Sequence, residues 1–204
     1  MTDALPTLNE ADALRADIYR LFATLLRQAP DDELLNWLAE LSIEQDGSRL
    51  AECWQSLAGA AQSAHAEKLQ RAHFRHLVGV IQGDVVPYAS WYRNGELMEA
   101  ALVALRRDLK VLGFERSEHT RDPEDHLAAL CEVMVMMIES ASFEQAYFFS
   151  QHLAPWAADC FADIGQVDTA FYAALGQLGS AFMESEQARL SIDASHKPVR
   201  IVEH

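Results

Sequence analysis

Apolar residues recur along the first third of the chain at helical spacing. Leu14, Ile18, Leu21, Phe22, Leu25 and Leu26 fall at i, i+3 and i+4, which puts them on one face of a helix. Thr7-Leu8-Asn9-Glu10 has the residues of a capping box ahead of that run, and Pro30 ends it. The same pattern predicts a second helix with Leu34, Leu35, Leu38 and Leu41 inward. A third follows over 48–64, carrying Leu50, Trp54, Leu57 and Ala61. A fourth spans 66–78, with Leu69, His73 and Leu77 on one side.

The stripe then stops. Residues 79–87 hold Gly79, Gly83 and Pro87 and lead into Tyr88-Ala89-Ser90-Trp91-Tyr92-Arg93-Asn94-Gly95, whose Asn-Gly pair signals a turn. An irregular loop over 79–95 is the expectation. Helix resumes from Glu96 to Leu112, with Gly113 as its C′ residue. The next start is marked by Asp122 as N-cap and Pro123 at N1. Glu124 and Asp125 there add negative charge at the positive end of the macrodipole. Ser142-Phe143-Glu144-Gln145 offers another capping box, opening a helix through Tyr147, Phe148 and Leu153 that Pro155 kinks or restarts before Gly165. A last helix runs from Thr169 to Leu190 with Phe171, Leu175, Leu178 and Phe182 on one face, followed by a polar tail over 192–204. No strand alternation and no internal repeat is visible. The expected fold is all-α, a single-domain bundle of roughly eight to ten helices over residues 1–204.

Composition narrows the function classes. The chain has 204 residues, half of them apolar, enough to bury a core without covalent staples. Thirty-one Asp plus Glu against 16 Lys plus Arg give a net charge of −15. Such a surface repels phosphate backbones, excludes nucleic acid as the expected partner and attracts basic peptides. Cys53, Cys131 and Cys160 are odd in number and form no Cys-x-x-Cys. That argues against a disulfide framework or zinc ribbon and for reduced thiols in a cytoplasmic protein. The acidic N-terminus lacks the basic and apolar regions of a signal peptide. The most apolar stretch, Leu127 to Ile138, is broken by Glu132 and too short to span a bilayer.

The motifs that carry enzyme chemistry are missing. The sequence has no phosphate loop, dinucleotide fingerprint, Gly-x-Ser-x-Gly or His-Glu-x-x-His, and none of the Glu-x-x-His pairs of a di-iron bundle. His73 and His76 lie three apart and could share a metal, but Arg71 and Arg75 flank them, and boundary histidines are the simpler reading. Asp125 and His126 are adjacent, so on a helix their side chains diverge by about 100° and form no ready acid–base pair. Asp125 reads as a first-turn acid, whereas a core stripe leaves His126 unexplained. A metal-dependent or nucleotide-hydrolysing enzyme centred on these two residues is the alternative. Tyr88, Trp91 and Tyr92 stand at i, i+3 and i+4, suited either to a half-wet groove or to pinning the loop on the core. In His152-Leu153-Ala154-Pro155-Trp156 the proline frees backbone acceptors, for a polar ligand or at a plain bend between helices.

These three spots, in this order on an all-helical chain, resemble the TorD/DmsD family of cytoplasmic maturation chaperones for molybdenum-containing redox enzymes. His76-Leu77-Val78-Gly79 with Pro87-Tyr88-Ala89-Ser90-Trp91-Tyr92 is similar to the family's loop and its Pro-Tyr-x-Ser-aromatic-Tyr stretch. Asp122-Pro123-Glu124-Asp125-His126 matches its Glu-Pro-x-Asp-His, with Asp first. His152-Leu153-Ala154-Pro155-Trp156, with Phe161 beyond, matches its His-Leu-x-Pro-Trp. The loop departs from the family's Gly-Pro-Gly and Pro-Pro, reading Gly79-Val80-Ile81 and Val86-Pro87. The resemblance implies no catalysis and no cofactor. It implies binding of the twin-arginine signal peptide and apo-catalytic subunit of a molybdopterin oxidoreductase, by a monomer or homodimer without membrane insertion. The site residues it suggests are Tyr88, Ser90, Trp91, Tyr92, Asp125, His126, His152, Pro155 and Trp156. In that picture Asp125 draws an arginine, His126 bonds peptide backbone and the aromatics cover the apolar run.

Overall fold

The computed structural model describes residues 8–44, 46–79, 82–115 and 122–195. They form α1 (Glu10–Arg27), α2 (Asp32–Ala39), α3 (Arg49–Gln62), α4 (Ala66–His73) with a π-helical turn (Phe74–Val78) continuing it, α5 (Ala89–Asn94) and α6 (Ala100–Val111). Then come α7 (Leu127–Glu139), α8 (Gln145–His152), α9 (Ala157–Ile164) and α10 (Ala170–Ser195). Strand-like pairing among the described residues is limited to one isolated antiparallel bridge, Tyr88 with His126. The architecture is all-α, as the periodicity predicts, and no helix among the described residues is long and apolar enough to cross a membrane.

α1 packs along α7, which is covered on nearly every side, while Leu14 at the head of the expected stripe stays exposed. Leu127, Leu130, Cys131, Met134, Met137 and Ile138 of α7 are almost fully buried. The other half of the core lies where α10 meets α9 and α3. Phe22 joins the halves by packing against both Phe161 and Phe182. The close approach of α9 and α10 depends on two missing side chains. A Cβ at Gly176 would come within 2.2 Å of the Gly165 backbone nitrogen, and one at Gly179 within 2.1 Å of the Phe161 ring.

Several helix starts differ from expectation for local reasons. Asn9, not Thr7, caps α1 and accepts from the Asp12 N–H; Thr7 lies outside the described residues. Gly95 ends α5 in the left-handed conformation. The chain then turns through Met98 at φ +64°, so α6 begins at Ala100 and not at Glu96. The Asn94 side chain accepts the Ala101 N–H in that turn. Gly113 takes φ +80° behind α6, as its C′ role requires. α10 runs on to Ser195, so only the last part of the expected tail, 196–204, lies outside the described residues.

One ion pair is sealed inside the bundle. Arg15 of α1 donates two hydrogen bonds of 2.7 Å to Glu186 of α10, and Tyr19 donates to the same carboxylate at 3.1 Å. Arg15 also reaches Asp12, which Arg189 contacts, and Gln145 at the start of α8. Removing one member of a buried pair leaves a desolvated charge without its counterion. Glu186→Leu is expected to destabilise by about 3–5 kcal/mol in urea titration. Arg15→Met combined with Glu186→Leu should recover most of that loss. A double variant no more stable than the single one would show that the loss does not come from an unpaired Arg15, which keeps Asp12 as a partner.

Candidate functional site

The site is built from the two ends of the irregular loop. The π-helical turn carries the chain out of α4, with the Gly79 N–H donating to the Phe74 carbonyl at 2.6 Å. Gly79 sits at φ +68°, and a Cβ there would meet the Gln82 carbonyl oxygen at 2.0 Å. A Cβ at Gly83 would lie 2.5 Å from the His76 carbonyl oxygen. Only glycine satisfies both approaches. The buried His76 ring holds the returning strand of the loop. Its Nδ1 donates to Asp84 at 2.7 Å, and its Nε2 faces the Thr169 hydroxyl at 2.8 Å. The His73 ring bonds the Leu26 carbonyl at 3.3 Å. The two histidines weighed as metal ligands thus serve separate joints, and the described residues contain no cluster of three or more His, Cys, Asp or Glu placed to hold a metal ion.

At the end of the loop, residues 87–89 pair with 125–127. The Ala89 N–H donates to the Asp125 carbonyl at 3.0 Å, and the Leu127 N–H donates to the Pro87 carbonyl at 2.8 Å. The 125–127 segment then caps two helices. Asp125 Oδ2 accepts the Ser90 N–H at 2.9 Å and the Ser90 hydroxyl at 2.6 Å, at the start of α5. His126 Nδ1 accepts the Ala128 N–H at 3.0 Å and is the N-cap of α7. The expected cap at Asp122 with Pro123 at N1 is therefore corrected: the bridge holds His126 extended, so helix begins at Leu127. Residues 123–126 form a turn instead, closed by the His126 N–H on the Pro123 carbonyl. Ser90 completes the junction by accepting the Met98 N–H at 3.2 Å.

Burial pushes His126 down to about 3, keeping the imidazole neutral and its Nδ1 free to accept. Tyr88 sets its ring edge-on to His126 at 4.8 Å, and burial next to Asp122 and Asp125 pushes its hydroxyl up to about 12. Asp125 is completely buried, and its Oδ1 has no hydrogen-bond partner. Asp125 is engaged with α5 and His126 with α7, so the enzyme alternative has no acid–base pair to work with.

The third motif forms a neighbouring cluster. Tyr92 stacks at 5.5 Å on the buried Trp156 and donates to Asp163 at 2.7 Å. Pro155 leaves the Gln151 carbonyl without its helical donor, and Arg93 of α5 supplies one at 3.2 Å. The Trp156 indole N–H donates to the His152 carbonyl at 2.7 Å. The freed acceptors are thus taken up within the protein. His152 donates to Asp108 at 3.0 Å, and Tyr147 and Arg107 bond the same carboxylate. Burial works to raise the Asp108 carboxyl, but these bonds outweigh it and hold it below the usual range. Burial pushes His152 down despite Asp108.

Eight of the nine expected site residues therefore form two adjoining groups. Tyr88, Ser90, Asp125 and His126 are joined by the bridge, while Tyr92, His152, Pro155 and Trp156 gather at the α8–α9 bend. Short α5 connects them. Trp91 points outward and is 38% exposed, whereas Tyr88 and Tyr92 are half-buried. Arg93, Asp108, Tyr147 and Asp163 belong to the same framework and were not anticipated. Asp108 had a legible signal, since it falls on the apolar face of α6 set by Leu102 and Leu105.

The chain belongs to the nitrate reductase delta subunit family, whose model matches residues 43–162. Its curated relatives carry the two names that the motifs pointed to. It is 28% identical over 155 residues to the Tat proofreading chaperone DmsD of Salmonella typhi, spanning 73% of this chain and 75% of that protein. It is 27% identical over 154 residues to the chaperone protein TorD of Actinobacillus succinogenes, covering 73% and 78%. In fold it matches the crystal structure of a proposed redox enzyme maturation protein from Archaeoglobus fulgidus. The TM-score is 0.58 at 18% identity, over 89% of this chain and 99% of the other.

His126, His73 and His152 all lie below 6.5 because of burial. Groups of this kind bind protons more readily in the unfolded state, so stability is complete above 6.5 and falls as the pH drops below it. Melting temperatures should decline between pH 6.5 and about 4, before the carboxylates titrate. His126→Asn, which keeps a capping acceptor, should flatten that decline without abolishing it. An unchanged pH slope would show that His126 is not held neutral.

Proposed function

We propose that the chain is a single-domain maturation chaperone acting in the cytoplasm. It binds the twin-arginine signal peptide and apo-form of a molybdopterin-containing oxidoreductase, assists cofactor insertion and prevents premature export. The reading is carried by one observation: the three motifs of a chaperone family fold into one framework whose polar groups are spent on holding each other. That framework presents an aromatic face and offers no reacting group. The peptide site comprises Tyr88, Trp91 and Tyr92 as contact surface. Ser90, Asp125, His126, His152, Pro155 and Trp156 keep α5 in place beneath it. The net charge of −15 favours a ligand with paired arginines over one with acidic residues.

Contact residues and framework residues separate by experiment. Trp91→Ala should weaken binding of a twin-arginine signal peptide by about tenfold. The loss should change little with salt, because the indole contributes apolar area, and melting should be unaffected. Asp125→Ala should lower the melting point, because it removes both acceptor contacts at the start of α5, a cost of about 1–3 kcal/mol. Calorimetric titration with parallel melting curves measures both. A folded Trp91→Ala protein that binds the peptide as tightly as the parent would remove α5 from the binding site.

A further inference from the structure

α1, α2, α3 and the segment joining α2 to α3 enclose a depression of about 360 Å³ on the side of α1 turned away from α7. Ile18, Leu21, Leu41, Leu50 and Trp54 form its floor. Leu14 and Trp37 stand on its edge, 60% and 51% exposed, a large apolar area for a surface site. Its rim carries Asp17, Glu44 and Asp46, and no Lys, Arg or His is among its lining residues. Arg20 neutralises Asp17 at 2.5 Å, which leaves Glu44 and Asp46 as the open charges.

Two other surface depressions differ in this respect. The one between α1 and α7 contains Arg20 and Arg27, and the one between α6 and α7 contains Arg27, Arg106 and Lys110. Three of their acids already have bases, in Arg27–Asp122, Arg27–Glu132 and Arg106–Glu124. The α1–α3 groove alone among the three combines an apolar floor with acids not matched by bases of its own lining. Leu14 also lies about 20 Å along α1 from Arg27, the residue that meets Asp122 beside the α5–α7 junction.

We propose that this groove is a second docking surface. Its occupant is an amphipathic helix with Lys or Arg flanking its apolar face, supplied by the mature part of the client polypeptide. The apolar face seats on Trp37, Leu14 and Trp54, and the flanking base meets Glu44. The source of the occupant rests on the chaperone reading above; the chemistry of the groove does not.

The probe is a dye-labelled synthetic helix of Leu, Ala and Lys, about 15 residues long, titrated into the full chain. Trp37→Ser should weaken binding about tenfold at every salt concentration. Glu44→Lys should weaken it more at low salt than at high salt. Glu67→Lys on α4 should bind like the parent. Excess twin-arginine signal peptide should not displace the probe. Unchanged binding in Trp37→Ser and Glu44→Lys overturns the proposal, as does an equal loss in Glu67→Lys, which would signal general acidity. Displacement by the signal peptide overturns the assignment to the mature part. If no signal peptide binds the protein while Trp37-dependent binding of the probe persists, the chaperone reading fails and the groove stands.

Discussion

Asp125 and His126 are neighbours in sequence, yet each starts a different helix. The Asp125 carboxylate takes the amide and the hydroxyl of Ser90 in α5, and the His126 imidazole takes an amide of α7. The antiparallel bridge between Tyr88 and His126 makes this division possible by presenting the two segments side by side. The position of α5 follows from it. α5 has only six residues, too short to be stable alone, and its start is fixed by a buried carboxylate from a segment 35 residues away. With the start fixed, Trp91 faces outward, Tyr92 reaches Trp156, and Arg93 reaches the carbonyl that Pro155 leaves open. The three motifs are one mechanical unit.

The helices with regular stripes were legible because their apolar faces repeat at helical spacing. α1, α3 and α10 lie where Ile18, Leu57 and Leu175 predict. The start of α7 was not legible, because it depends on a partner distant in sequence, and α6 starts late because the chain turns through Gly95 and Met98 at positive φ. Asp122-Pro123 satisfies every local rule for a helix start. The bridge overrides it by directing the amide of Leu127 to Pro87. His126 was the residue that local reasoning left unexplained, and it proves to be the cap. The irregular loop was legible as a loop, but its Gly79 and Gly83 act through approaches of backbone to backbone that spacing alone does not reveal.

The motif residues were legible as neighbours in the fold and not by the contacts they make. Asp125 was expected to meet an arginine and His126 a peptide backbone, because an acid and a histidine at a helix start look available. In the fold both are buried and engaged with amides of their own chain. Burial has a consistent effect on the histidines at these joints. His73, His126 and His152 are each pushed toward the neutral form, in which one ring nitrogen accepts and the other donates. A neutral imidazole satisfies a buried backbone or carboxylate group without adding a charge that would need its own partner. Each histidine therefore acts as a polar staple between elements.

This allocation of polar groups explains how an acidic protein can present a binding face without catalytic character. Catalysis needs a titratable group that is both accessible and incompletely satisfied. Around α5 the acceptors freed by the proline and the acid of the second motif are already bonded to Arg93, Trp156 and Ser90. The contact surface left over is aromatic and shaped by α5. In the proposed function its charge is supplied at longer range by the net acidity of the chain, which would draw in a basic ligand without orienting it closely. Orientation must then come from shape, which requires α5 to be rigid. A helix this short gains its rigidity from the buried carboxylate at its start, the stacking of Tyr92 and the Arg93 contact at its end. Motif residues that never reach the surface are thus compatible with a peptide-binding role, because they fix the geometry of the one tryptophan that does.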